Sequence, residues 1–111
     1  MIIIRSIQIN EEIVYYITDD KYFNIPDREI AKMLNIDYEL YIEILKKYGA
    51  TQHTRYYYYY YYFYYFYCFN NLQDAVDCLN DEELQLYIIM EELSKWLLLT
   101  IYEFMKEQYI I

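Results

Sequence analysis

Residues 27–50, DREIAKMLNIDYELYIEILKKYGA, decide the fold of this chain. Apolar side chains recur there at three- and four-residue intervals in two runs: Ile30, Ala31, Met33 and Leu34, then Tyr38, Tyr41, Ile42 and Leu45. Asn35, between the runs, tolerates the left-handed conformation of a tight turn, and Gly49 suits a helix end. The stretch predicts a helix-turn-helix, with Pro26 and Asp27 in the first helical turn.

The residues before this stretch predict one strand and one helix. Ile2 to Ile9 is short and rich in β-branched side chains, which favours a strand. Asn10, followed by Glu11, Glu12 and Ile13, is typical of a helix N-cap, and we expect that helix to end near Asp19 and Asp20.

A tyrosine-rich run fills residues 56–69 and predicts one or two β-strands. No Gly, Asn or Asp marks a turn within it, so the strand register is weakly specified. The run is either an aromatic core face, a protein-contact strip, or a repeat expansion without a dedicated role. Stacking on single-stranded nucleic acid needs interleaved cations, and Arg55 is the only cation nearby.

Two helices are predicted after the run. Asn70 or Asn71 caps a helix whose apolar positions are Leu72, Ala75, Val76 and Leu79. The next helix begins after Asn80, with Glu83 in the capping-box position, and extends from Asp81 to about Tyr109. Its apolar seam runs through Leu86, Ile89 or Met90, Leu93, Trp96 or Leu97, Ile101 and Phe104. Further apolar residues widen this surface, so the helix is clamped on two sides or donates a face to another chain, as in a homodimer.

The predicted fold class is α+β and mostly helical, with a helix-turn-helix (winged-helix-like) core, a Tyr-rich strand or hairpin, and a long C-terminal helix. We expect a single domain over residues 1–111. Its parts are a strand with the helix-turn-helix (1–50), the Tyr-rich β segment (51–69) and acidic helices (70–111).

The helix-turn-helix resembles those of small phage and clostridial regulators. Four positions carry the resemblance: Ala31 at the inter-helix contact, Asn35 at the turn, and the apolar Ile36 and Ile44. It implies a winged-helix DNA-binding regulator or antitoxin, whose phosphate contacts would come from Arg28, Lys32, Lys46, Lys47 and Arg55. The chain departs from the pattern at Tyr41, where a smaller aliphatic residue is usual, and at the acidic Asp37, Glu39 and Glu43, which disfavour groove contact.

The charge balance favours a different partner. The chain has 18 acidic and 9 basic residues and a net charge of −9. Residues 56–111 carry nine acidic and two basic side chains, whereas residues 1–55 carry nine and seven. The candidate acidic face comprises Asp74, Asp77, Asp81, Glu82, Glu83, Glu91 and Glu92. In size and acidity the chain resembles anti-CRISPR proteins, which implies a phosphate mimic that blocks a basic nucleic-acid-binding protein. We do not expect direct nucleic acid binding.

Catalytic motifs are missing from the sequence, so we expect a non-enzymatic protein without a metal or cofactor. The single histidine, His53, lies in a polar segment and is interpreted as an exposed loop residue rather than a base. Cys68 and Cys78 are too few for a zinc cage and are interpreted as reduced thiols. We expect neither a secretory signal nor a transmembrane helix, and therefore a cytoplasmic protein.

Overall fold

The computed structural model describes residues 1–21, 27–57 and 62–109, and within them the chain forms four strands and four helices. In chain order these are β1 (Ile2–Ile9), β2 (Glu12–Asp19), α1 (Asp27–Met33), α2 (Tyr38–Lys47), β3 (Thr51–Tyr57), β4 (Tyr62–Cys68), α3 (Leu72–Leu79) and α4 (Glu82–Tyr109). The architecture is mixed α+β, as predicted. The predicted position of Pro26 lies outside the described residues, as does the part of the tyrosine run at 58–61.

The first two strands form an antiparallel hairpin, and the helix predicted after Asn10 is wrong. The register pairs Ile2 with Asp19 and Ile9 with Glu12, leaving Asn10 and Glu11 as a two-residue turn. Asn10 has φ +56°, the left-handed conformation that such hairpin turns require. Residues 13–18 are β-branched or aromatic, and pairing with the apolar β1 outweighs the weak capping signal.

Two helices joined by a tight turn, α1 and α2, occupy the stretch predicted as a helix-turn-helix, while the winged-helix-like core stays a prediction. Asn35 has φ +56° and Gly49 has φ +92°, so both predicted left-handed residues adopt that conformation. Asp37 caps α2, because its carboxylate accepts a 2.8 Å hydrogen bond from the backbone N–H of Glu39. Tyr41 is fully buried, so α2 places a large aromatic side chain in the core.

The predicted Tyr-rich hairpin is confirmed for the described residues, where β3 and β4 pair antiparallel from Thr51–Cys68 to Tyr57–Tyr62. His53 therefore lies in a strand, and its prediction as a loop residue is wrong. Its ring is half-buried and lies 6.3 Å from the ring of Phe66. Pairing with the apolar β4 draws the polar residues 51–55 into the sheet.

The two hairpins meet through a backbone bridge and through a cluster of buried side chains, in which the ring centroids of Tyr16 and Phe66 lie 5.8 Å apart. The backbone N–H of Tyr15 donates to the carbonyl of Phe69 at 2.9 Å, and the N–H of Phe69 donates back to Tyr15 at 2.7 Å. Phe69 has no exposed surface and belongs to the main hydrophobic core, which contains residues from α1, α2, α3 and β2. This bridge fixes β2 beside β4 and so aligns the two sheets on the helices.

Helix α3 begins with the predicted cap, whereas α4 does not. Asn71 caps α3, since its side chain accepts from the N–H of Asp74 at 2.9 Å. Asn80 terminates α3 rather than capping α4. The cap of α4 is Asp81, whose carboxylate accepts from the N–H of Leu84 at 3.0 Å. The side chains of Asn80 and Asp81 both suit an N-cap, and the packing of Asp81 in the core selects Asp81 as the cap of α4.

The long helix α4 extends beyond the rest of the fold. It has 28 residues, about 42 Å at the usual rise per residue. Its N-terminal part packs on the core through Leu84, which is fully buried, and through the half-buried Tyr87 and Ile88. The radius of gyration is 17.0 Å, against about 13 Å for a compact chain of this length. The remainder of α4 is therefore a projection.

Candidate interaction surfaces

The projecting part of α4 carries the largest exposed apolar surface among the described residues. Its members are 46–68% exposed: Leu86, Ile89, Met90, Leu93, Trp96, Leu97, Leu98, Leu99, Ile101, Tyr102, Phe104 and Met105. We call these twelve residues the α4 surface. The sequence predicted a helix clamped on two sides or donating a face. Beyond Ile88, the described residues flank α4 on one side only, at a cavity that Met90, Glu91 and Ser94 line with the α1–α2 turn.

The α4 surface is larger than the single exposed apolar residues that are found on most protein surfaces. Its three aromatic side chains alone expose roughly 400 Å², while the largest apolar patch on a typical monomer covers about 300–600 Å² in total. The nine aliphatic members add to this. In the described part of the chain, no helix is both long enough and apolar enough to cross a membrane. Exposed apolar area on this scale is typical of a surface that another molecule covers.

Asp81, predicted as part of the exposed acidic face, is instead buried at the junction of α2, α3 and α4. Besides capping α4, its carboxylate accepts hydrogen bonds from the Tyr48 hydroxyl at 2.7 Å and from Lys47 Nζ at 3.3 Å. Burial acts to raise the pKa of Asp81, but the bonds from Leu84, Tyr48 and Lys47 outweigh it, so the pKa lies below its usual value. The same bond raises the pKa of Tyr48 to about 12. Asp81 therefore stabilises the junction of α2, α3 and α4, and its buried carboxylate is not available to a partner.

The other predicted acidic residues fall into two groups. Asp77, Glu82 and Glu83 are exposed and Asp74 is half-buried, on the adjacent helices α3 and α4. Among the described residues these four form no ion pair. Asp74 accepts from the Asn71 amide at 2.9 Å, and Asp77 accepts from the Gln73 amide at 2.8 Å.

The remaining two acidic residues lie farther along α4. Glu91 and Glu92 are half-buried, and Glu91 is neutralised by an ion pair with Lys95 at 2.9 Å. Both glutamates lie about 12 Å or more along the helix from Glu83. With Asp81 buried, the acidic residues that remain together are the four at the α3–α4 junction: Asp74, Asp77, Glu82 and Glu83. We call these the junction carboxylates.

The basic residues predicted for DNA contact are partly engaged within the fold. Arg28 lies over the ring of Tyr38 at 4.3 Å, Lys46 lies 5.7 Å from the ring of Tyr67, and Lys47 pairs with Asp81. Lys32 is exposed on α1, and the backbone of Arg55 pairs with Tyr64 in the second hairpin. Glu39 and Glu43 are exposed on α2, so that helix presents both signs of charge.

A buried carboxyl in α1 is a feature that the sequence did not predict. Asp27, predicted to lie in the first helical turn, is 4% exposed and accepts a 2.7 Å hydrogen bond from the N–H of Tyr67. Burial raises the pKa of Asp27 to about 7, and the bond from Tyr67 opposes that rise. The only local signal was a polar residue beside an apolar helix face, which does not distinguish a buried carboxyl from an exposed one.

The two cysteines are reduced, as predicted, and both are buried. Burial raises the pKa of the Cys68 and Cys78 thiols to about 12 each. Both stay protonated near neutral pH and are poor nucleophiles, because the thiolate is the reactive form.

Comparison with protein-family models, with curated proteins and with solved structures gives no match. The resemblance of residues 27–50 to phage and clostridial regulators therefore stays a prediction. The exposed surfaces of the chain are therefore the observations that indicate its function.

Proposed function

We propose that this protein acts without catalysis, by binding another protein through the α4 surface. The observation that carries the proposal is the exposure of twelve large apolar side chains on one projecting helix. Hydrophobic burial is the main favourable contribution to protein association, and leaving this area in water is costly. The arrangement corresponds to an apolar helix that docks on a complementary apolar surface.

A lipid surface fits α4 less well than a protein does. Helices that lie in the membrane interface carry many Lys and Arg residues, which attract anionic headgroups. From Leu86 onward, α4 has only Lys95 and Lys106 against four glutamates: Glu91, Glu92, Glu103 and Glu107. The charge of α4 would therefore oppose contact with an anionic bilayer.

Photo-crosslinking from a single position tests this proposal. We expect a benzoyl-phenylalanine placed at Leu97 to yield a protein adduct in the producing cells, because the α4 surface is covered there. The matched control is the same residue at Leu72, which is as exposed as Leu99 but lies on α3 outside the α4 surface, and it should yield roughly fivefold less adduct. Gel mobility and mass spectrometry of the adduct provide the measurement. Absence of any protein adduct at Leu97 would remove the proposal.

A second candidate function rests on the junction carboxylates. They are not neutralised by ion pairs among the described residues, so their field is available to a cationic partner. This supports the predicted role as a phosphate mimic that occupies the basic surface of a nucleic-acid-binding protein.

Salt titration against purified CRISPR effectors distinguishes this second function. We expect binding to weaken at least tenfold between about 50 and 500 mM salt, because screening shortens the reach of exposed charges. The variant Glu82→Gln/Glu83→Gln should weaken binding at low salt, while Glu103→Gln/Glu107→Gln, of equal charge change, should not. Affinity that does not respond to salt would exclude electrostatic mimicry.

The DNA-binding alternative stays a prediction. It is supported by the order of elements, since the β3–β4 hairpin follows α2 where a winged-helix protein has its wing. The exposed Glu39 and Glu43 on α2 and the engagement of Lys47 with Asp81 count against it.

A further inference from the structure

One line of residues within the α4 surface has a symmetric spacing. Met90, Leu93, Leu97, Ile101 and Phe104 are separated by three, four, four and three residues, so the pattern reads the same in both directions from Leu97. We call these five residues the seam. All five residues lie within about 40° of Leu97 around the helix, so the seam forms one stripe along the helix axis.

The rest of the fold leaves most of the seam open. Ile88 packs on the core from a position about 180° around the helix from Leu97, and the fully buried Leu84 lies about 140° from it. Of the seam residues, Met90 lies beside the folded body, where it lines a cavity at the α1–α2 turn. From Leu93 to Phe104, another helix can lie along the seam without meeting the body.

The seam is also free of charge. Five charged residues lie between Met90 and Lys106, all about 120° or more around the helix from Leu97: Glu91, Glu92, Lys95, Glu103 and Lys106. Three are acidic and two are basic, and Glu91 and Lys95 form an ion pair. Glu107, beyond the end of the seam, lies about 80° from Leu97. A second copy of α4 would present the same neutral face, so the net charge of the chain does not oppose contact at the seam.

Resting on the proposed function, we infer that the partner of the α4 surface is the α4 of a second copy, paired antiparallel about a two-fold axis at Leu97. The symmetric spacing then places Leu93 opposite Ile101 and Met90 opposite Phe104, so that an apolar side chain meets an apolar side chain along the seam. A parallel pair lacks this axis and gains nothing from the symmetry.

The position of the acidic residues selects the antiparallel arrangement. In a parallel pair, Glu82 and Glu83 of the two chains would lie about 10 Å apart, the usual distance between packed helices. In the antiparallel pair they lie about 45 Å apart, because 15 residues separate Glu82 from Leu97 in each chain. At physiological salt the screening length is about 8 Å, so only the parallel pair suffers the repulsion.

The area is sufficient for a stable dimer. The seam and its apolar flanks, Leu86, Ile89, Leu98 and Met105, would bury roughly 600 Å² per chain, or about 1,200 Å² in total. This lies at the lower end of the range for specific interfaces.

Sedimentation of the full chain tests the dimer. We expect the wild type to shift from 14.0 kDa to twice that mass as its concentration rises from about 0.1 to about 100 µM. Leu97→Glu should raise the dissociation constant at least 100-fold, because it places two carboxylates at the axis. Leu99→Glu is the matched control, with the same change at a similarly exposed position away from the seam, and should leave the constant within threefold of the wild type. Circular dichroism checks that both variants stay folded.

Disulfide trapping tests the orientation. Two Leu97→Cys chains should cross-link on mild oxidation, since facing positions at the axis come within the Cα separation that a disulfide requires. Two Leu86→Cys chains should not, because they would lie about 33 Å apart. The native Cys68 and Cys78 are buried, with pKa values of about 12, and do not compete.

Each outcome bears on a different claim. A monomer at every concentration, or a dimer that Leu97→Glu does not weaken, overturns the self-pairing. Cross-linking at Leu86 overturns the antiparallel arrangement. A monomeric chain that still yields adducts with other proteins from Leu97 contradicts the second copy but leaves the proposed function intact, whereas absence of all adducts removes both.

Discussion

Replacement of Phe69 by alanine is expected to lower the free energy of unfolding by about 4 kcal/mol. Phe69 has no exposed surface, packs in the main core, and exchanges two backbone hydrogen bonds with Tyr15 at the junction of the two sheets. Truncation leaves a cavity at the point where β2, β4 and the helices converge. Urea unfolding followed by far-ultraviolet circular dichroism measures the loss.

Two further substitutions make this result specific. Phe69→Leu retains most of the volume and should cost about 1.5 kcal/mol. Tyr65→Ala removes an aromatic ring from β4, the strand that precedes Phe69, but Tyr65 is 58% exposed, so the loss should stay below about 1 kcal/mol. If Phe69→Ala were no more destabilising than Tyr65→Ala, the assignment of Phe69 to the core would be contradicted.

The stability of the protein is expected to fall as pH rises from about 4 to about 7, because of Asp27. Its pKa is raised from 3.8 when unfolded to about 7 when folded, so within this window the folded state binds more protons. The contribution of Asp27 is greatest below pH 4 and is lost as pH rises through 7. A shift of this size corresponds to about 4 kcal/mol at most. Urea midpoints at pH 5 and pH 8 measure it.

The matched variant is Asp27→Asn, which keeps an acceptor for the N–H of Tyr67 and removes the titrating proton. We expect it to be more stable than the wild type at pH 8 and to lose most of the pH dependence between 4 and 7. Equal pH dependence in the two proteins would show that Asp27 ionises without cost and is not buried in a low-dielectric site.

Features governed by local backbone chemistry were predictable from the sequence. The turn at Asn35, the end of α2 near Gly49 and the cap at Asn71 depend on the residue itself and its nearest neighbours, and the structure confirms all three. The long helix and the strands of the tyrosine run followed from periodicity and from β propensity. The hairpin strand β2 was missed because Asn10 suits both a helix cap and a left-handed turn, and the pairing with β1 decides between them.

The candidate surfaces were predictable in part. The sequence showed that the apolar residues of α4 exceed what one core contact needs. It could not show that packing on the core ends near Ile88. The acidic face was overestimated, because the charge of Asp81 does not reveal that Tyr48, Lys47 and the start of α4 surround it.

The sequence by itself determined the helix-turn-helix, the long apolar C-terminal helix and the acidic balance, since these follow from residue type and spacing along the chain. Only the tertiary structure decided which of those residues are covered. Asp27 and Asp81 are buried and the α4 surface is exposed because burial depends on contacts between segments far apart in sequence, such as Asp27 with Tyr67 and Tyr48 with Asp81. No local pattern encodes those contacts.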